Sequence, residues 1–174
     1  VISLFSFIPR REKELDNIEY KDYALIVAAH NEEQVIENMI DSLKRLDYPK
    51  DKYEIFVIAD NCSDNTAVLA RNAGATVFER TDTTARGKGY ALEWMFAKIF
   101  EMERKFDNVV IFDADNIAHK NFLKEINLQH NKGHKVVQGY IDSKNPEDSW
   151  ISYSYSIAFW TVNKLFQQSR YNLG

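Results

Sequence analysis

Two aspartates one residue apart, Asp113-Ala114-Asp115, follow directly on the apolar run NVVIF at 108–112. Carboxylates at i and i+2 just beyond a buried strand can converge on one hard cation, and oxygen ligands suit magnesium or manganese. Such a cation neutralises a diphosphate and stabilises it as a leaving group. Two unit charges about 4 Å apart attract by ~4 kcal/mol at an effective dielectric of about 20, enough to matter to binding and departure alike. A bare Asp-x-Asp is common in turns. Its place after a strand, with a second acidic strand end at Asp60, favours a site.

Other polar residues cluster in the same way. The run 23–29 (YALIVAA) ends in His30-Asn31-Glu32-Glu33, and the run 53–59 (YEIFVIA) ends in Asp60-Asn61-Cys62-Ser63-Asp64. Arg86-Gly87-Lys88-Gly89 stands before a helical segment, where free backbone N–H groups and two cations make an anion pocket. It is not a dinucleotide fingerprint, because Leu92 stands where the third glycine would be and the motif does not follow the first strand. No P-loop occurs. His30 and His119 flank the acidic elements; His130 and His134 read as surface histidines, with Gly133 between them ending the helix.

These residues need a frame that brings strand ends together. Continuous apolar runs at 23–29, 53–59, 76–79, 108–112 and 135–140 predict five strands, mostly buried on both faces. Helical spacing predicts helices over 33–46, 64–73, 89–103, 119–130 and 149–168. Asn31 with Gln34 resembles a capping box, and Gly74 closes the second helix. The aromatic residues of the last helix could stack on a sugar or touch a membrane, and core packing is the expectation for most of them. Alternating strands and helices call for a mostly parallel α/β sheet with helices on both faces, and such sheets bind ligands at the carboxyl ends of their strands.

The chain has 174 residues, 45% hydrophobic and 13% aromatic, enough for a real core. A net charge of -4 lacks the basic excess of a nucleic-acid binder. The one cysteine, Cys62, forms no internal disulfide and fits a reducing, cytoplasmic setting. No stretch reaches the ~20 apolar residues that span a bilayer. Residues 1–20 carry an apolar start followed by Pro9-Arg10-Arg11 and Lys13. They read as a membrane-proximal tail with its basic flank or, equally by spacing, as a surface segment packing its own apolar residues.

YALIVAAHNEE, VIADNCSDNT, ARGKGYALEW and IFDADN, in this order, resemble the inverting family 2 glycosyltransferases of GT-A fold. The chain is most similar there to the cellulose-synthase-like and EpsO-like exopolysaccharide synthases. The resemblance implies a Rossmann-like GT-A domain over 21–174, incomplete at its C-terminus, that binds a UDP-sugar with a divalent metal, Mg2+ or Mn2+. It implies that Asp60 reads the uracil edge and that Ala28, His30 and Glu32 line the nucleoside pocket. Arg86 and Lys88 then lie near uracil and diphosphate, Asp113 near ribose and metal, and Asp115 is the principal metal ligand. Ala59 departs from the family's paired acids at the second strand, leaving Asp60 alone.

The resemblance also implies a glycan acceptor and a cytoplasmic membrane face for the whole protein, reached through flanking segments; the present chain is expected to be soluble. The catalytic base is expected beyond Gly174, since an inverting enzyme needs a carboxylate to deprotonate the acceptor. Glu147-Asp148 precedes the last helix and reads as a helix N-terminal charge pair. Gln167 to Tyr171 matches the Q-x-x-R-W element of processive synthases only superficially. The rival readings are a nucleotidyltransferase, disfavoured because AAHNEE follows the first strand, and a domain that holds UDP-sugar without turnover.

Overall fold

The computed structural model describes Ser6 and residues 17–173. Apart from Ser6 and 17–20, the predicted tail at 1–20 lies outside the described residues. The chain divides into two compact units, one of residues 18–128 and one that contains 129–174.

The first unit is built on a four-stranded, wholly parallel sheet. Its strands are β1 (Tyr23–Ala29), β2 (Tyr53–Asp60), β3 (Thr76–Arg80) and β4 (Asn108–Asp113), in the order β3-β2-β1-β4. The central pair carries the longest apolar runs, and β1 and β2 are buried along nearly their whole length. That is what parallel strands with helices on both faces require. The outer strands are only half-buried, and Ile111 of β4 is exposed. The chain steps outward from β1 to β3 and then returns to place β4 on the other side of β1. The carboxyl ends of β1 and β4 therefore form the switch point at which such sheets hold ligands.

Helix α1 (Ile36–Lys44) buries Ile36, Met39, Ile40 and Leu43; helix α2 is Thr66–Asn72. Helix α3 (Lys88–Glu101) packs Ala91, Met95 and Ile99 on Ala24 and Ile26 of β1 and Phe56 and Ile58 of β2. Period-2 alternation turns Leu25, Val27, Ile55 and Val57 to the opposite face, where they are also buried. Phe56 has no exposed surface and meets Phe106 edge-on at 5.6 Å. Phe56→Ala is expected to cost about 3–5 kcal/mol. Denaturant unfolding should show a lower midpoint at unchanged slope.

Helix α4 (Phe122–Asn131) follows β4. Beyond it, α5 (Trp150–Thr161), a π-helical stretch (Val162–Gln167) and α6 (Gln168–Leu173) run on without a break. The Ser149 hydroxyl caps α5 by accepting from Ser152 N–H at 3.1 Å.

Several expectations are corrected. The segment 135–140 is not a strand: Val136 is 92% exposed, and no strand among the described residues pairs with it. Two valines before Gln138-Gly139 offer too little apolar surface to hold a sheet edge, and glycine weakens a strand further. Asn31 does not cap α1, which starts at Ile36 with no side-chain cap. Its backbone is left-handed at φ 57°, and its side chain is used across to the next loop. The aromatics of the last helix are not core: Trp150, Tyr155 and Phe166 are exposed, and α5 buries no residue. Gly74 does close α2, at φ +96°.

Candidate functional site

The turns after β1 and β2 each place an asparagine in the left-handed region, Asn31 at φ 57° and Asn61 at φ 51°. Asparagine accepts this conformation more readily than other non-glycine residues. Each turns the chain sharply off the sheet, and each side chain then ties down a neighbouring loop. Asn31 Oδ1 accepts from Ser63 N–H at 2.8 Å, and Asn61 Oδ1 accepts from Asp82 N–H at 2.9 Å. The loops after β1 and β2 are stitched further by Glu32 N–H to Thr66 Oγ1 at 2.8 Å and Glu33 N–H to Asp64 Oδ2 at 3.1 Å.

These turns frame a cavity of about 390 Å³ at the strand ends. Ala28, His30, Glu32, Asp60, Arg86 and Lys88, all read from sequence as site residues, line it together. His30 Nδ1 lies 2.7 Å from the Asp60 carbonyl, which can only accept, so this nitrogen carries the proton. In the neutral ring Nε2 is then the acceptor. Gly87 reaches φ +107°, so the chain can swing from the loop into α3. Ala91 N–H is bonded to the Gly87 carbonyl, while the first amides of α3 precede any intrahelical acceptor.

The acidic pair sits at the other side of β1. Asp113 is the last residue of β4, in register with Ala28, and Asn116 N–H closes a turn onto its carbonyl at 3.2 Å. Lys88 bridges to Asp113 Oδ1, so the α3 terminus and the β4 end are joined by an ion pair. Asp115 lies in the exposed turn just beyond and is not among the residues lining the cavity. No cluster of three or more His, Cys, Asp or Glu able to hold a metal occurs among the described residues. Two exposed carboxylates beside the cavity lined by Arg86 and Lys88 still fit magnesium or manganese, since magnesium is commonly held by one or two carboxylates plus substrate phosphates rather than by an all-protein cage. His119 is in the following loop, its Nδ1 accepting from Asn121 N–H at 3.3 Å.

The matching family model covers residues 21–171 and describes a glycosyltransferase-like family 2. The chain belongs to that family. A probable glycosyltransferase, YdaM, of Bacillus subtilis (strain 168) is 33% identical over 56% of this chain and 23% of its own length. The β-monoglucosyldiacylglycerol synthase of Synechocystis is 32% identical over 63% of this chain and 23% of its own length. The 4,4'-diaponeurosporenoate glycosyltransferase of Staphylococcus aureus (strain bovine RF122 / ET3-1) is 32% identical over 71% and 33%. The chain thus spans between about a quarter and a third of these relatives.

Among solved structures, the mannosyltransferase PcManGT of Pyrobaculum calidifontis, complexed with GDP-Man and Mn2+, superposes with a TM-score of 0.63 at 22% identity. It covers 88% of this chain and 43% of that one, and it establishes the GT-A fold. Glucosyl-3-phosphoglycerate synthase of Mycobacterium tuberculosis, complexed with UDP, has a TM-score of 0.51 at 27% identity over 68% of this chain and 42% of its own.

Within this family 2 frame, one buried side chain had escaped the sequence reading. Arg80 ends β3, and its side chain is 6% exposed. Its Nη1 donates to Asp60 Oδ1 at 2.6 Å, and its Nη2 donates to Asp82 Oδ2 at 3.1 Å and to the Ala85 carbonyl at 2.6 Å. Arg80 thereby connects the floor of the cavity to the loop that carries Arg86 and Lys88. Asp82 organises the same loop: the amide of Ala85 and the hydroxyl and amide of Thr84 all donate to it, holding its carboxyl down at about 2. This hold is complete above the ordinary carboxylate range and is lost as pH falls through about 2. A strand-final arginine before Asp82 is the only local signal, and it reads equally well as a solvated strand end.

Proposed function

We propose that this chain is the donor-binding part of a metal-dependent, inverting glycosyltransferase that uses a UDP-sugar. The observation that carries the reading is convergence: residues from the ends of β1 and β2 and the start of α3 line one cavity, and Lys88 reaches from there to the acidic end of β4. The UDP complex of the Mycobacterium tuberculosis enzyme supports uridine as the base. In this reading Asp60 accepts from the base, and Ala28, His30 and Glu32 wall the nucleoside. Arg86, Lys88 and the first amides of α3 hold the diphosphate. Asp113 and Asp115 would hold the magnesium or manganese, whose charge stabilises the departing diphosphate. An acceptor hydroxyl attacks the anomeric carbon opposite UDP, and a carboxylate base belonging to the whole protein takes its proton.

Two readings of the acceptor have support. A glycan acceptor in exopolysaccharide synthesis at the cytoplasmic membrane face is the reading the sequence resemblance supports. Relatives named for diacylglycerol and diaponeurosporenoate products support a lipid-borne acceptor as the second reading. The donor site is tested by calorimetric titration of UDP into this chain. Binding in the micromolar to low millimolar range is expected, and a folded chain that takes up no UDP refutes the donor site. A time course of UDP release from UDP-sugar separates turnover from binding alone.

A further inference from the structure

Asp60 is 8% exposed and lines the cavity, so the state of each of its oxygens matters. Oδ1 accepts from Arg80 Nη1 at 2.6 Å and from Asn61 Nδ2 at 3.1 Å. A carboxylate oxygen has two lone-pair directions, and here both are taken. Oδ2 has no donor among the described residues. The strand register enforces this arrangement, because Asp60 and Arg80 are direct partners across β2 and β3. Arg80 cannot swing away cheaply, since its other nitrogen is bonded to Asp82 and to the Ala85 carbonyl.

We propose that Arg80 determines which nucleobase the site accepts, by occupying one oxygen of Asp60 and leaving a single acceptor for the base. The proposal rests on the reading of this cavity as the donor site. Uracil offers one ring N–H between two carbonyls, which one oxygen satisfies. Guanine offers a ring N–H and an adjacent amino group, which match a carboxylate with both oxygens open. With Oδ1 occupied, the amino group of guanine finds no acceptor on Asp60, and a polar group buried without a partner weakens binding. Arg80 is thus a positioning residue for base selection; it acts through Asp60.

The test compares bases that share a diphosphate. UDP, 3-methyl-UDP, GDP and IDP are titrated with manganese, the purines by competition against UDP up to millimolar concentration. GDP and IDP are alike in size and differ by the amino group alone. In the parent, GDP and IDP are expected to bind within about twofold of each other. 3-Methyl-UDP should bind at least about tenfold more weakly than UDP. In Arg80→Met, or in Arg80→Leu should the methionine variant not fold, GDP is expected to gain about tenfold over IDP. A parent that binds GDP tenfold better than IDP overturns the proposal. So does a folded variant that loses affinity for every diphosphate equally, while leaving the donor site itself intact. Purines that compete on neither protein overturn it as well, because cavity size then decides. A folded parent that binds no diphosphate at all refutes the donor reading, and this proposal falls with it.

Discussion

Manganese is expected to tighten UDP binding on the order of 100-fold in the parent, and Asp115→Ala is expected to abolish that gain while leaving metal-free binding nearly unchanged. A unit charge pair at about 4 Å is worth ~4 kcal/mol at an effective dielectric near 20, and each 1.4 kcal/mol is about tenfold. Asp115 is exposed, so screening reduces that upper figure to about two decades. Asp113→Ala should behave differently. Asp113 is already bridged by Lys88, so its removal takes away a carboxylate and also frees a cation beside the diphosphate. The metal-dependent gain should shrink, and metal-free UDP binding should rise a few-fold. Titrations of both variants with and without manganese decide this. Equal loss of metal-free and metal-dependent binding in Asp115→Ala would refute its assignment as ligand. Neither aspartate is buried in the core, so unfolding midpoints should stay near the parent's.

Arg80→Met is expected to be the most destabilising single change near the cavity, by about 3–5 kcal/mol. Both partners of the Arg80–Asp60 pair are nearly enclosed, with side chains 6% and 11% exposed. Removing one member leaves a nearly enclosed carboxylate without its cation. The Ala85 carbonyl and the Asp82 carboxylate lose donors as well. For a chain of this size each kcal/mol moves the thermal midpoint by about 2–4 °C, so the drop is large and easily measured. Asp60→Asn combined with Arg80→Met should recover a substantial part of it, because the stranded charge is gone. A double variant no more stable than Arg80→Met would show that the cost lies in lost packing of the arginine stem. Exposed pairs give the contrast: Arg71→Ala, which breaks the surface bridge to Glu79, should change stability by less than about 1 kcal/mol.

Much of the first unit was legible in the amino-acid order. The runs YALIVAA and YEIFVIA became the two central strands, because strands buried on both faces must be apolar at every position and so leave an unbroken local signature. Strands β2, β3 and β4 each run one residue past the apolar run, to Asp60, Arg80 and Asp113, because ladder pairing through the backbone continues into a polar strand end. The segment 135–140 carried enough valine to resemble a strand, but pairing depends on a neighbour, and local composition does not encode one. The aromatic helix erred in the same way: its residue types suggested a core, whereas burial depends on what lies opposite.

The candidate site divides along the same line. The sequence by itself determined which residue types stand at the strand ends: His30, Glu32, Asp60, the Arg86–Lys88 loop, Asp113 and Asp115. Each follows an apolar run or precedes a helix, and those boundaries are local. Only the tertiary structure decided how these groups are shared out. The β2–β3 register sets Arg80 against Asp60 across 20 positions of chain, and the β1–β4 pairing brings Asp113 to the side of β1 where Lys88 can reach it. Register is fixed by ladder hydrogen bonds and by which faces must be buried across the whole sheet, so a contact between distant strand ends has no signature in either segment alone.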